Sequence, residues 1–373
     1  MGDSLRSKLP PIYQHLMPDA LFDAQAVKEP RATCDDCAMC DKGTGAPVAM
    51  SYFQPDMKCC TYFPILPNYL VGALLSDPSP ELAEGQKRVR ARIAGRVGVT
   101  PYFVAPPRKQ SIMMEATRET GAFGRSRVLI CPYFQPSEKG DCTIWKHRDA
   151  VCSTFFCKYE AGYRGYQFWS ALKEYLGYAE VGLAMFSARA VDPGVVEPKI
   201  PRLKLTKRDL EDLPPTDEEY ASYWGAWVGR EAEFYIACHE QVKAMKKEEF
   251  AARIDDTQQG KRYLADATSR YAGLATLVVP SSLVRNPKMI ERHVGESVVV
   301  TTYSVNDSFA LEKDLYDVLG MFSADKTLAE NLAWLEKEHG IELAPELIKY
   351  LFMHAVLVAP EPKAAETPVC ATS

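Results

Sequence analysis

Long apolar runs are missing from this sequence of 373 residues. No segment approaches the roughly 20 consecutive apolar residues that a membrane span needs. The amino terminus, MGDSLRSKLPPIYQHLMPD, also lacks the apolar stretch of a secretory signal, so a cytoplasmic location is the expectation. Phosphate-cradling glycine loops are absent too: neither G-x-G-x-x-G nor G-x4-G-K-[ST] occurs, and nucleotide chemistry has no support. A C-x3-C-x2-C run, the signature of radical S-adenosylmethionine enzymes, is likewise missing. Charge of one sign is scarce. The formal net charge of −5 gives no basic field for nucleic acid, and no nucleic-acid partner is expected. What remains, 47% apolar and 25% charged, is ordinary for a globular chain long enough for two or three domains.

Cysteine is plentiful. Of 11, nine lie between positions 34 and 157, and only Cys238 and Cys370 fall outside. In a reducing compartment such a set is not a disulfide framework, and clustering points to metal binding or catalysis. The sulfurs come in groups: Cys34, Cys37 and Cys40 at C-x2-C-x2-C spacing, adjacent Cys59 and Cys60, then Cys131, Cys142, Cys152 and Cys157. Two thiolates two residues apart can turn toward one ion through a tight loop, with distant pairs completing the shell. Four thiolates suit zinc and iron–sulfur centres alike, and spacing separates them poorly. The first triplet matches three ligands of a bacterial ferredoxin run, whose fourth cysteine falls where this chain has Thr44. Nine cysteines exceed one tetrahedral zinc site and suffice for two four-thiolate centres, which favours a 4Fe-4S cluster over zinc. Single cysteines are often small core hydrophobes, the reading adopted for Cys238. Among the nearby cations Lys146, His147 and Arg148, the last two are candidates to offset thiolate charge beside a centre.

The elements Cys59-Cys60, Cys131-Pro-Tyr-Phe, Gly140-Asp-Cys142-Thr-Ile-Trp and Arg148-Asp-Ala-Val-Cys152-Ser-Thr-Phe-Phe-Cys157 together resemble the YkgJ-type zinc- or iron-chelating cysteine-cluster family, over about residues 34–160. Departures are Asp149 in place of a proline, Trp145 in place of a tyrosine, and the eighteen residues between Cys40 and Cys59. The resemblance implies a bound metal centre. The related flagellin lysine methylases, with a similar cluster, imply a protein-modifying reaction.

Beyond the cysteines, VDPGVVEPKIPRLKL is proline-rich and reads as a linker. Helices are expected over SPELAEGQKRVRARIAGR, capped by Ser79, and over about 165–178. The stretch from Thr216, with Glu219 as capping-box partner, reads as one long helix whose stripe runs Tyr220, Trp224, Trp227, Phe234, Cys238, Val242, Met245. PYFVAPPRKQ and RSRVLICPYF read as short strands or extended loops. Toward the carboxyl end, a strand at SVVVTTYSV, three helices and a short terminal strand resemble the winged-helix peptide-recognition modules of the PqqD-like type, over about 296–359. Edge pairing in such modules supplies affinity through main-chain hydrogen bonds. The Glu336-x-x-His339 spacing, the basic residues Lys87, Arg88, Arg90, Arg92 and Arg96, and the carboxylates Asp141, Asp149 and Glu160 are weaker signals.

The expected fold is α+β and predominantly helical. A loop-rich cysteine metal-cluster domain (1–200) precedes a long-helix connecting region (201–270), a winged-helix-like module (271–360) and a disordered tail (361–373). The expected function is a cytoplasmic metal-centre protein holding one or two 4Fe-4S clusters, or zinc, through Cys34, Cys37, Cys40, Cys59, Cys60, Cys131, Cys142, Cys152 and Cys157, with Arg148 and His147 beside them. The alternatives are a metal-dependent peptide- or protein-modifying enzyme and a peptide- or protein-binding module with structural zinc. The expected partners are therefore a metal ion or cluster and a peptide or protein. Whether the chain is an enzyme is open from sequence.

Overall fold

Residues 4–25, 36–43, 50–117, 120–136, 141–196 and 205–361 are described in a computed structural model of the chain. Cys34, most of the proline-rich linker and the tail beyond Glu361 lie outside the described residues. The architecture is α+β and rich in helix, with short strands. It divides into two compact units, one formed by Met1–Thr44, Ser51–Glu160 and Gly165–Leu274, the other by Gly45–Met50, Ala161–Arg164 and Ala275–Ser373.

In the first unit, β1 (Leu66–Pro67) pairs antiparallel with β2 (Phe103–Val104), and β3 (Phe134–Gln135) with β4 (Asp141–Cys142). Register in the second ladder sets Phe134 opposite Cys142. Helix α1 (Asn68–Ser76) is apolar on every side, and every residue from Asn68 to Leu75 is buried. A helix without a polar face belongs in a core. Helix α2 (Ala83–Gly95) buries Gly85, Val89 and Ile93 at helical spacing. Helix α3 (Ala150–Thr154) is a single short turn, and α4 (Gly162–Val191) runs for 30 residues. The buried stripe of α4 comprises Phe168, Leu172, Tyr175, Leu176, Ala179, Leu183 and Ala184. Each large side chain on it contributes roughly 1.5–3 kcal/mol by leaving water.

Several expected elements differ in the structure. The single long helix from Thr216 is two: α5 (Asp217–Trp224), opened by the Thr216–Glu219 capping box, and α6 (Glu231–Ala244). Gly225 ends α5 with a φ of 53°, a conformation from which an L-residue helix does not continue. The aromatic stripe survives the break, and Tyr220, Trp224, Phe234 and Cys238 are fully buried. Ser79 caps nothing. Pro80–Leu82 forms a 3-10 turn instead, and the Ser79 N–H donates to Asp77 Oδ1 at 3.0 Å. PYFVAPPRKQ contains β2 but turns helical at Arg108, and RSRVLICPYF contains a 3-10 turn at Arg127–Leu129.

In the second unit, β5 (Val284–Arg285) pairs with β9 (Leu357–Val358), and β6 (Ile290–Val294), β7 (Ser297–Thr301) and β8 (Phe309–Glu312) form an antiparallel meander. Helices α7 (Lys313–Leu319), α8 (Leu328–His339) and α9 (Pro345–Met353) follow. Val298, Val300, Leu311, Leu319, Leu335, Leu351 and Val356 make its core. The winged-helix-like expectation is corrected here. Strands β6 and β8 occupy both edges of β7, so the terminal strand pairs with β5 elsewhere and no closed winged-helix sheet forms among the described residues. Glu336 and His339 are exposed at the end of α8.

One close approach in the first unit positions the residues around Cys142. A Cβ at Gly85 would sit 2.1 Å from the Thr143 carbonyl oxygen, so only glycine lets α2 lie against the segment that follows β4. Gly177, midway along α4, has open space around it. Gly85→Ala is therefore expected to lose roughly 1–3 kcal/mol of unfolding free energy through overpacking. Gly177→Ala should gain about 0.5–1 kcal/mol from helix propensity. Urea titration of the two variants checks the opposite signs.

Candidate functional site

The cysteines of the first unit sit on turns and short elements. The turn carrying Cys59 and Cys60 follows Lys58, a buried residue with φ at 54°, outside the range a non-glycine residue ordinarily adopts. Strain of this kind, of order 1–3 kcal/mol, persists only where surroundings over-determine it. Here the Lys58 N–H donates to Gln54 O at 2.8 Å and the Cys60 N–H to Met57 O at 3.0 Å. The Cys131 N–H donates to Cys60 O at 2.8 Å, which ties the turn to the segment leading into β3. The Thr143 N–H donates to Tyr133 O at 3.0 Å and carries β4, with Cys142, alongside. Asp149 caps α3, its Oδ1 accepting from the Cys152 N–H at 2.9 Å.

Five of the nine cysteines are thus brought within electrostatic reach of one another: Cys59, Cys60, Cys131, Cys142 and Cys152. Their acidities diverge. Loss of hydration pushes the Cys131, Cys142 and Cys152 thiols up, so they rest protonated. Cys60 is pushed up as well, first by its hydrogen bond to Cys59 and then by burial. Cys59 alone goes down. The Cys60 thiol donates to its sulfur, and a backbone N–H, Arg148 and Lys58 add to this against the opposing effect of burial. A thiol hydrogen-bonded as an acceptor near two cations is the arrangement that favours thiolate.

Cys37 and Cys40 form a separate turn, with the Cys40 N–H donating to Cys37 O at 3.2 Å. The Cys40 thiol is pushed up to about 11, by burial first and then by Cys37. Cys157 lies half-buried in the loop after α3. Among the described residues, no group of three or more His, Cys, Asp or Glu side chains could hold a metal ion. The expected iron–sulfur or zinc centre, its place as cofactor and partner, and the metal-dependent enzyme and structural-zinc alternatives are corrected by that finding. The physical reason is how the sulfurs are held. They pair, Cys37 with Cys40 and Cys59 with Cys60, or are drawn to local groups: Cys131 to the N–H groups of Tyr133 and Phe134, Cys142 to that of Ile144, Cys152 to Asp149.

Of the two expected cations, Arg148 remains with the thiols and His147 does not. The Arg148 guanidinium stacks on the Trp145 ring at 3.4 Å to the centroid, and its Nε donates to Trp145 O at 2.9 Å. His147 is buried and its Nε2–H donates to Asp77 Oδ2 at 2.8 Å. Desolvation lowers the His147 pKa, against the pull of Asp77. Lys146 also pairs with Asp77, at 2.8 Å. Asp141 and Glu160 are exposed, whereas Asp149 is buried.

Sequence reading passed over a second buried network. Glu180, on α4, accepts from the Tyr13 hydroxyl at 2.8 Å and from the Ala150 N–H at 2.7 Å, while Tyr13 and Tyr69 share a 2.7 Å hydrogen bond. The available signal was a lone carboxylate beside Ala179 on an otherwise apolar helical stripe. Beside Cys142 and Arg148 opens a cavity of ≈ 670 Å³, to which Lys8, Glu81 and Trp145 also contribute.

Burial, and then the nearby Asp149, hold the Glu180 carboxyl well above the ordinary carboxylate value. A carboxyl raised in the folded state binds its proton more tightly there than in the unfolded chain. The stability this provides is fully present below the unfolded value, about 4.3, and is lost as pH rises through the folded one. Glu180→Gln keeps an acceptor for Tyr13 and Ala150 and cannot ionise. Its unfolding free energy, followed in urea between pH 5 and 8, is expected to fall less than that of the parent chain, and parallel curves would contradict this.

Comparison with protein-family models, with curated proteins and with solved structures finds no match for the chain. The resemblances to the YkgJ-type cysteine-cluster family and to PqqD-like modules are therefore corrected: neither is matched as a family, and the metal-holding group that the first implied is not present among the described residues.

Proposed function

We propose that the chain is a dithiol–disulfide redox protein in which Cys59 and Cys142 cycle between two thiols and one disulfide. The observation that carries this reading is the hydrogen-bonded Cys59–Cys60 pair, held after the left-handed Lys58 and near Arg148. Thiolate is the reactive form in thiol–disulfide exchange. Cys60 acts as the donor that keeps Cys59 anionic. A disulfide between adjacent residues closes a strained ring across one peptide bond, so Cys60 is a poor partner for it. Cys142, in electrostatic reach of Cys59 and open to the cavity, is the better one.

In the oxidising direction a partner disulfide R–S–S–R′ is the oxidant. The Cys59 thiolate attacks one of its sulfurs, forming Cys59–S–S–R and expelling R′S⁻. Cys142 then loses its proton to the expelled thiolate and attacks the Cys59 sulfur, giving the Cys59–Cys142 disulfide and RS⁻. Two electrons pass from the protein to the partner, which leaves as two thiols. In a reducing cytoplasm, the setting proposed for the chain, the dithiol is the resting state.

Iodoacetamide labelling of the reduced chain at graded pH, read by peptide mass mapping, tests the reading. Cys59 is expected to react at least tenfold faster than Cys131 or Cys152 at pH 7, with a midpoint below the ordinary thiol value of about 8.5. Arg148→Gln should move that midpoint up. Mild oxidation should yield a Cys59–Cys142 linked peptide that Cys59→Ser abolishes. Uniform labelling of the thiols, or a disulfide that excludes Cys59, refutes the assignment.

A further inference from the structure

The turn carrying Cys37 and Cys40 takes no part in the Cys59–Cys142 couple, yet its sulfurs are also paired. Its residues alternate between interior and surface. Met39 is fully buried and its carbonyl accepts from the Phe53 N–H at 2.8 Å, whereas Ala38 is exposed and both cysteines are half-buried. One residue therefore anchors the turn from below while the two cysteines stay within reach of solvent. The Cys40 N–H closes the turn on Cys37 O at 3.2 Å, and the Cys40 thiol donates to the Cys37 sulfur. Two intervening residues let such a pair close a disulfide ring without the strain that adjacent cysteines meet. Burial, and then Cys37, push the Cys40 thiol up to about 11, against the opposing effects of Lys58 and Lys42, so Cys40 rests protonated. Lys42 is itself paired with Asp36 at 2.5 Å, and Lys58 acts on Cys59 as well. With Cys40 holding its proton, Cys37 is the sulfur left to attack.

We propose that Cys37 and Cys40 are a second dithiol–disulfide couple, oxidised by low-molecular-weight disulfides, with Cys37 attacking and Cys40 resolving. The proposal goes beyond the Cys59–Cys142 reading and does not depend on it. Half-burial favours a small reagent over a disulfide set in a folded surface. Cys37, its proton given to water, attacks one sulfur of R–S–S–R. A Cys37–S–S–R bond forms, the reagent's S–S bond breaks and RS⁻ leaves. That thiolate takes the Cys40 proton, and the Cys40 sulfur attacks Cys37, giving the Cys37–Cys40 disulfide and a second RS⁻. The second thiolate takes up the proton that Cys37 released. Two electrons pass from the protein to the small disulfide, which leaves as two thiols. Because the resolving thiol is hydrogen-bonded to the attacking sulfur from the start, the mixed disulfide is short-lived.

The test exposes the reduced full chain to bis(2-hydroxyethyl) disulfide, blocks remaining thiols with N-ethylmaleimide and digests with trypsin. The peptide cut after Arg31 and Lys42 holds Cys34, Cys37 and Cys40, and its fragment masses place the modifications. The expected product has lost two hydrogens and carries maleimide on Cys34 alone. In the Cys40→Ser chain the mixed disulfide on Cys37 should accumulate to at least tenfold its level in the parent chain. In the Cys37→Ser chain an adduct on Cys40 should form at least tenfold more slowly than that one. Circular dichroism checks that both serine variants keep the fold, and the mapping of the parent chain stands without them.

A disulfide that includes Cys34, maleimide on both Cys37 and Cys40 after oxidation, or equal adduct rates in the two variants overturns the proposal. The two couples fail separately. Cys59→Ser should abolish the Cys59–Cys142 bond and leave the rate of Cys37–Cys40 oxidation unchanged. Loss of both in that variant overturns the independence of the second couple, and absence of the Cys59–Cys142 bond from the parent chain removes the first couple alone.

Discussion

A single buried carboxyl, that of Glu180, orders the first unit. It stands on the apolar stripe of the 30-residue helix α4 and is met there by Tyr13 from the amino-terminal segment and by the first N–H of α3. Tyr69 of α1 joins through Tyr13. Four parts of the chain far apart in sequence therefore converge on one oxygen atom and its neighbours. Removing a partner from such a buried group leaves the desolvation penalty uncompensated, typically ~1–3 kcal/mol for a neutral group. The proton on Glu180 lowers that penalty, because a neutral acid is far cheaper to bury than a carboxylate. Helix α3, held at its first residue by Glu180 and at its cap by Asp149, in turn fixes Cys152, so the thiol region is braced from behind by a network without sulfur.

Around that brace the thiol-bearing pieces are short: two-residue strands, a one-turn helix and a tight turn. Such pieces have little stability of their own. They are tied by backbone hydrogen bonds between pieces, as from Cys131 to Cys60 and from Thr143 to Tyr133, and by the close contact of α2 at Gly85. Asymmetry between Cys59 and Cys60 follows from this framing. Both are half-buried, yet only one sulfur receives the other's proton and lies near Arg148 and Lys58.

Much of this was legible where periodicity or caps are strong. The Thr216–Glu219 capping box occurs as the sequence pattern implied, and the helix expected over about 165–178 lies within α4. The break at Gly225 was missed because the aromatic stripe continues through it, and periodicity cannot report a dihedral angle. The terminal β-strand was legible, but not its partner: pairing depends on which edges are already taken, a non-local fact. For the site, Cys59, Cys60, Cys131, Cys142 and Cys152 lie within electrostatic reach of one another and Cys37 and Cys40 form a separate turn, and spacing misjudged what they do, since no metal-holding group is present among the described residues. Sulfur geometry is decided by which backbone N–H groups and which neighbouring thiol each side chain meets, and spacing carries none of that. His147 looked like a cation beside sulfur, yet Asp77, seventy residues earlier, claims it.

Electrostatics limits how many of the gathered thiols ionise together. Two unit charges 4 Å apart at an effective dielectric near 20 repel by about 4 kcal/mol, equivalent to roughly three pKa units. Each thiolate therefore suppresses the next, which adds to the burial that raises Cys131, Cys142 and Cys152 and to the Cys59 hydrogen bond and burial that raise Cys60. In the proposed dithiol state Cys59 is the anion among neutral thiols, with Cys60 donating to it and Arg148 and Lys58 lowering its pKa. A site of this kind has one nucleophile at a time and several sulfurs able to succeed it. When the Cys59–Cys142 bond forms, the anion disappears while both cations stay, so the oxidised site is more positive by one charge than the reduced one. That excess favours departure of the electron pair onto Cys59 when the bond is reduced, so the cations that lower the Cys59 pKa in the dithiol state also act on its return from the disulfide.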